Sequence, residues 1–280
     1  RASLLTGSYP HRVGLGRNGR TMDLNAPTIA GLLKESGYQT AMTGKWHLSE
    51  LAATSAGQDR IGWMNHQVDL GIPFADPQSY PRQRGFDQYY GVIWGVVDFF
   101  DPFSLVHNDE PVTDVADDYY LTDAITNYSV KYIEDFDKSD KDPFFLYVAY
   151  TAPHWPLHAK PEVIQKYDGQ YDAGWDQLKK DGFERQRKLK LFRGSIPVEP
   201  VQDRGASWDS LSTPEKEYQA NKFEVHAAMV DSVDQGIGRI VEALKETGEF
   251  ENTVIFFLSD NGASPEIPGY AGYDRNGETR

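Results

Sequence analysis

The sequence contains no cysteine, which excludes disulfide bridges and thiolate metal sites within its 280 residues. Long hydrophobic runs are missing too. The longest, Phe144–Tyr150 and Val254–Leu258, fall far short of the roughly 20 apolar residues that a membrane-spanning helix needs. Positive charge is scarce: 28 Lys plus Arg face 42 Asp plus Glu, a formal net charge of −14. Such a chain is a poor partner for nucleic acid gripped through its phosphates. An anionic substrate would have to meet a local basic site inside an acidic protein. There is no internal repeat and no low-complexity tract. What is present is 39% hydrophobic, 25% charged and 13% aromatic, the composition of a folded protein at a length that suits one large α/β domain or two small ones. The chain opens on Arg1 rather than Met and closes in a polar, glycine-containing stretch, so it is expected to be part of a longer protein.

The periodicity predicts a first helix near Pro27–Ser36, with Ile29, Leu32 and Leu33 on one face, Asn25 near the cap, Pro27 in the first turn and Gly37 as the stop. Tyr38–Thr43 then reads as a strand. Phe144–Tyr150 and Val254–Leu258 are continuous apolar runs, as expected of strands buried on both faces. Between them, Val230, Val233, Ile237, Ile240, Val241 and Leu244 recur at spacings of three and four. Thr213 is the expected cap upstream, Gly236 and Gly238 a break, and Gly248 the end. This order predicts an α/β fold with a mainly parallel central sheet and helices on both faces. Residues 49–142 and 161–212, rich in Gly, Pro, Asp and aromatics, are expected to be long loops and small helices over one end of the sheet. Arg185–Arg193 is a locally basic helix candidate, for which a solvated face is the plainer reading.

All three expected strands run into polar residues that can bind ligands. The first leads into Gly44-Lys45-Trp46-His47, the second into Thr151-Ala-Pro-His154, the third into Ser259-Asp260-Asn261-Gly262. Taken singly, each has a bland alternative: a surface turn, a rigid proline loop, or a tight turn that Asn and Gly tolerate. Together they point to one site, because open α/β sheets bind ligands at the carboxyl ends of their strands. The residue types suit one task. Asp260 and the Asn261 amide are hard oxygen donors suited to Ca2+ or Mg2+. Lys45 and Arg1 carry fixed positive charge, and His47 and His154 can donate to oxyanions or move protons near neutral pH. That set fits a tetrahedral oxyanion ester whose charge must be neutralised while an alcohol departs. His158 follows His154 by four residues, but Pro156 between them disfavours the regular helix that a paired metal site would use.

On these residues the sequence resembles the type I sulfatases, the arylsulfatase-like branch of the alkaline phosphatase superfamily. Arg1-Ala-Ser-Leu-Leu-Thr6-Gly7 looks like the second half of the first sulfatase signature, and Gly37–Leu48 like the whole of the second. Arg84-Gly-Phe-Asp87, Pro153-His-Trp-Pro-Leu157 and Leu258-Ser-Asp-Asn-Gly262 follow in the family's order. The resemblance implies sulfate ester hydrolysis, of aryl or glycan sulfates, by a formylglycine hydrate with one bound divalent cation, Ca2+. The formylglycine would be made by a maturation enzyme from a Cys or Ser four residues before Arg1. Carried over residue by residue, Arg1 would hold the formylglycine and Lys45 would touch it and the sulfate. His47 would orient the hydrate and assist sulfate elimination. His154 would bind sulfate as a candidate acid for the leaving oxygen, and Asp260 and Asn261 would be metal ligands.

The family's paired-Asp motif and second active-site Lys have no counterpart here, so residues 1–280 alone are expected to be a partial catalytic domain without turnover. A periplasmic, secreted or lysosomal setting is implied by the resemblance alone. Two alternatives stay open: phosphate or phosphonate ester hydrolysis by a related superfamily member, and a non-catalytic relative that binds sulfoglycans.

Overall fold

The computed structural model describes residues 1–51, 73–138, 142–191 and 207–262. Its centre is a five-stranded sheet of β1 (Gln39–Gly44), β2 (Gln88–Val92), β3 (Leu105–His107), β4 (Glu110–Pro111) and β5 (Phe144–Ala149), in the order β4-β3-β2-β1-β5. β1 pairs in parallel with β2 and β5, while β2-β3 and β3-β4 are antiparallel. The α/β class expected from the sequence is thus borne out as a mixed sheet flanked by helices, with its parallel part at β2-β1-β5. Central β1 explains itself: Thr40, Ala41, Met42 and Thr43 are all buried, and the two threonine hydroxyls find partners in Asp87 and Ser129.

Several expectations need correction. The Val254–Leu258 run forms no ladder, and its side chains stand 50–84% exposed. Hydrophobicity alone cannot make a strand: a strand exists only through a neighbour's hydrogen bonds, and no described strand pairs with this run. Residues 49–142 are more than long loops and small helices, because they hold β2, β3, β4 and the 17-residue helix α3 (Leu121–Asp137). The first long helix is α2 (Ile29–Glu35), preceded by the short α1 (Ala2–Thr6). α2 is capped by Thr28 and not Asn25: Thr28 Oγ1 accepts from Gly31 N at 3.0 Å and donates to Arg84 O at 2.7 Å. Its buried face is Ala30, whereas Ile29 and Leu32 are exposed. The reason lies across the contact, where a Cβ on Gly85 would fall 2.2 Å from Gly31 N, so two backbones touch and only small residues fit.

The chain forms two compact units. The first comprises residues 1–156 and 233–280, and contains the sheet, α1 to α3 and the end of the longest helix. The second, residues 157–232, holds α4 (Pro161–Ile164), α5 (Gly174–Lys188) and the start of α6 (Thr213–Glu246). Within it Trp175 meets Trp208 edge-to-face at 4.9 Å, and buried Glu224 accepts from Gly169 N. The basic helix candidate becomes the end of α5, where exposed Arg185, Arg187 and Lys188 complement the carbonyl end of the helix dipole. Residues 192 and 193 of that candidate lie outside the described residues.

α6 starts one residue earlier in function than expected: Ser212 is the cap, and its N and Oγ bond Glu215 Oε2 at 2.8 and 2.6 Å. Gly236 and Gly238 do not break it. At Gly236 a Cβ would lie 2.4 Å from Thr126 Oγ1 and 2.6 Å from the Tyr150 hydroxyl, so this glycine serves close packing. Ile133, Ala243 and Leu244 form a buried cluster that Phe144, Leu146 and Phe250 lean on, tying α3, α6 and β5 together. Among the described residues no helix is long and apolar enough to cross a membrane.

Candidate functional site

The site grows from the carboxyl ends of the parallel strands, all within the first unit. β1 ends at Gly44, whose φ of +93° turns the chain toward the end of β5, and Lys45 N donates to Ala149 O at 2.8 Å. The next residues run along the end of β2, Trp46 N donating to Val92 O and His47 N to Ile93 O. The charge of Lys45 is felt at the His47 ring, so these two side chains share one environment, while Trp46 packs against Ser49, Ser79 and Phe86. Trp46 is an anchor, not a pocket wall. It is 1% exposed, its Nε1 donates to Ser79 O and Ser49 Oγ, and Phe86 meets it edge-on.

Arg1 is held between the same strand ends. Its Nη1 donates to Lys45 O at 2.8 Å, its Nε stands 3.4 Å from Asp260 Oδ2, and its side chain also hydrogen-bonds Tyr147 of β5. The guanidinium side chain is 11% exposed and the carboxylate 35%, so the pair lies at the mouth of a protected region. Lys45 is 6% exposed, and burial, followed by the charge of Arg1, brings its pKa down to about 8 against an opposing pull from Asp260. His47 is lowered to about 3, by burial first and then by Lys45, Arg1 and His154, and is therefore a neutral imidazole at pH 7. Those mutual effects place Arg1, Lys45, His47 and His154 in one electrostatic environment. In the Pro153–Pro156 loop, His154 Nδ1 lies 2.6 Å from Trp155 O; a carbonyl only accepts, so Nδ1 carries a proton.

Asp260 joins this group through Arg1. Asn261 is exposed, and its Nδ2 donates to Gly262 O, a contact within its own turn. Asp260 and Asn261 together offer at most three side-chain oxygens of the roughly six to eight that Ca2+ takes, so this pair carries part of such a site at most. Among the described residues no three His, Asp or Glu side chains gather as a metal cluster. Two neighbours of the site were not legible beforehand. Tyr147 sits inside an apolar run that reads only as strand, and Trp94, edge-on to His47 at 5.4 Å, follows a strand that the pattern did not reveal.

One pH effect follows from this geometry. If the Lys45 ammonium is what an anionic substrate meets, kcat/KM is expected to fall as pH rises through about 8, because the cation is the form lost. Bound anion favours the charged form, so the same limb in kcat should lie at higher pH. A kcat/KM profile flat to pH 10 would show that activity does not depend on an ammonium lost near pH 8.

A family model described as Sulfatase matches residues 1–280. An uncharacterized sulfatase of Schizosaccharomyces pombe is 32% identical over 301 residues, covering 95% of this chain and 49% of its own length. An arylsulfatase of Klebsiella aerogenes is 29% identical over 287 residues, covering 95% of this chain and 56% of its own. The crystal structure of Ps i-CgsB in complex with k-i-k-neocarrahexaose superposes with a TM-score of 0.56 at 26% identity, over 90% of this chain and 45% of that one. The chain therefore spans about half the length of the curated relatives it matches.

Proposed function

Because the chain belongs to the sulfatase family, we propose that the longer protein hydrolyses sulfate esters at the site formed by Arg1, Lys45, His47 and His154. The observation that carries this reading is the convergence of two fixed cations and a neutral imidazole at the ends of β1 and β5. A sulfate monoester is a compact tetrahedral anion, and a buried cation worth little in water is worth much more where solvent is excluded. A glycan sulfate is the substrate class we favour, in keeping with the carbohydrate bound by Ps i-CgsB. Formylglycine, made by a maturation enzyme from a residue preceding Arg1, would supply the nucleophile, and a Ca2+ with Asp260 and Asn261 among its ligands would supply further positive charge.

The chain's own residues then divide the work. Arg1, oriented by Lys45 O, Asp260 and Tyr147, presents a planar cation that holds the nucleophilic residue in place. Lys45 reaches a sulfate oxygen as a point charge. His47, neutral at working pH, accepts a proton when sulfate is eliminated. His154, with Nδ1 tied to Trp155 O, would in its imidazolium form deliver the Nε2 proton to the departing alcohol oxygen and be left as the neutral Nδ1–H tautomer. A periplasmic, extracellular or lysosomal setting is part of the same proposal.

The test uses the full-length protein, matured in a host that makes formylglycine. Turnover of an aryl sulfate well above that of the matching phosphate and phosphonate, together with a Cys or Ser encoded four residues before Arg1, is the expected result. Preferential phosphate or phosphonate turnover would overturn it, and calorimetric binding of a sulfated sugar with no turnover would leave a binding protein instead.

A further inference from the structure

His47 adopts φ 57°, the left-handed region that a non-glycine residue occupies at a cost of about 1–2 kcal/mol. Its surroundings must therefore hold it there. His47 N is bonded to Ile93 O at 3.0 Å, and the indole of Trp94 meets the imidazole edge-on. A third contact is with Gly95. A Cβ placed on Gly95 would lie 2.3 Å from Cε1, 2.4 Å from Nε2 and 2.6 Å from Nδ1 of His47. Near-equal distances to three consecutive ring atoms put that Cβ over the face of the imidazole, well inside van der Waals contact.

The usual reason for a glycine is absent here. Gly95 is not among the positive-φ glycines, so a left-handed φ does not explain the glycine. Its loop cannot easily retreat either, since Ile93 N donates to Ser104 O at 3.0 Å and Trp94 N to Ser104 Oγ at 2.9 Å. A methyl group at position 95 must displace the ring.

We propose that Gly95 is a positioning residue whose missing side chain provides the seat for the His47 imidazole, so that the loop after β2 sets the direction of that ring. The functional half of this inference rests on the sulfatase reading. Misplacing a reacting group by about 1 Å can cost on the order of 10²-fold in rate, so Gly95→Ala in the full-length enzyme is expected to lower kcat at least 10-fold. KM should change little, because Lys45 and Arg1 are untouched.

A double-mutant cycle separates positioning from general damage. In a His47→Ala background the space over Gly95 is vacated, and Gly95→Ala should then cost nothing further. Equal losses in both backgrounds, or full activity of Gly95→Ala, would overturn the proposal. Should Gly95→Ala alone fail to fold, the double variant should fold; failure of both would mean that the methyl group clashes elsewhere and would also overturn it. The imidazole NMR resonances of His47 give a readout independent of turnover. They should shift in Gly95→Ala even if the wild-type enzyme proves inactive on sulfate esters, and unmoved resonances would refute the seat itself.

Discussion

Lys45→Ala in the full-length protein is expected to lower kcat/KM for a sulfate ester by about 10²-fold or more, the size of loss typical when one preorganised charge-stabilising donor is removed. The expectation rests on how strongly Lys45 is held. Its backbone N is bonded to Ala149 O, its own carbonyl is taken by Arg1, and the side chain is almost fully buried. A buried ammonium has already lost its water, and the drop in its pKa to about 8 records that loss. An arriving sulfate restores a counter-charge, so attraction is spent on substrate and not on the surroundings. Lys45→Met keeps the aliphatic stem and should lose nearly as much activity while leaving the unfolding midpoint close to wild type. Activity within threefold of wild type for either variant would end the assignment.

Gly44→Ala is expected to destabilise the protein by about 3 kcal/mol or more, with loss of activity beside it. Two costs add. The φ of +93° disfavours any side chain, and the new Cβ would stand 2.1 Å from Ala149 O and 2.7 Å from its carbonyl carbon. Ala149 is the register partner of Gly44 in the parallel β1-β5 pair, and the same carbonyl oxygen receives Lys45 N. On the other side, a Cβ on Gly91 of β2 would reach Gly44 O at 1.9 Å. The ends of three strands are thus in backbone contact, and that closeness delivers Lys45 and His47 to the site. Urea unfolding of the variant would test this, and a loss under 1 kcal/mol would show that the strand ends can spread without harm.

The sequence by itself determined the chemistry of the candidate residues and which chain segments carry them. Lys45, His47 and His154 each follow a segment that reads as a strand, and parallel strands bring their carboxyl ends to one edge whatever the loops between them do, whereas Asp260 follows a run that forms no ladder and meets the group through Arg1. β5 was legible as a short apolar run after Pro143, and β1 as the segment that follows the helix stop at Gly37. The full length of α6 was not: Gly236 reads as a breaker until Thr126 and Tyr150 are seen against it. Val254–Leu258 erred the other way, since its composition suits a strand and only a hydrogen-bonded neighbour can make one.

Tertiary structure alone decided the rest. That Trp46 is an anchor between two site residues is decided by its partners Ser49 and Ser79, which come from 3 and 33 residues away. The state of His47 depends on burial, on nearby Lys45 and on Arg1 and His154 from distant parts of the chain, and the ring's direction depends on Gly95, a residue whose local sequence gives no sign of it. Residue type is a local property and can be read in order. Protonation, orientation and close approach are set by what lies across the fold, and no spacing rule along one chain encodes them.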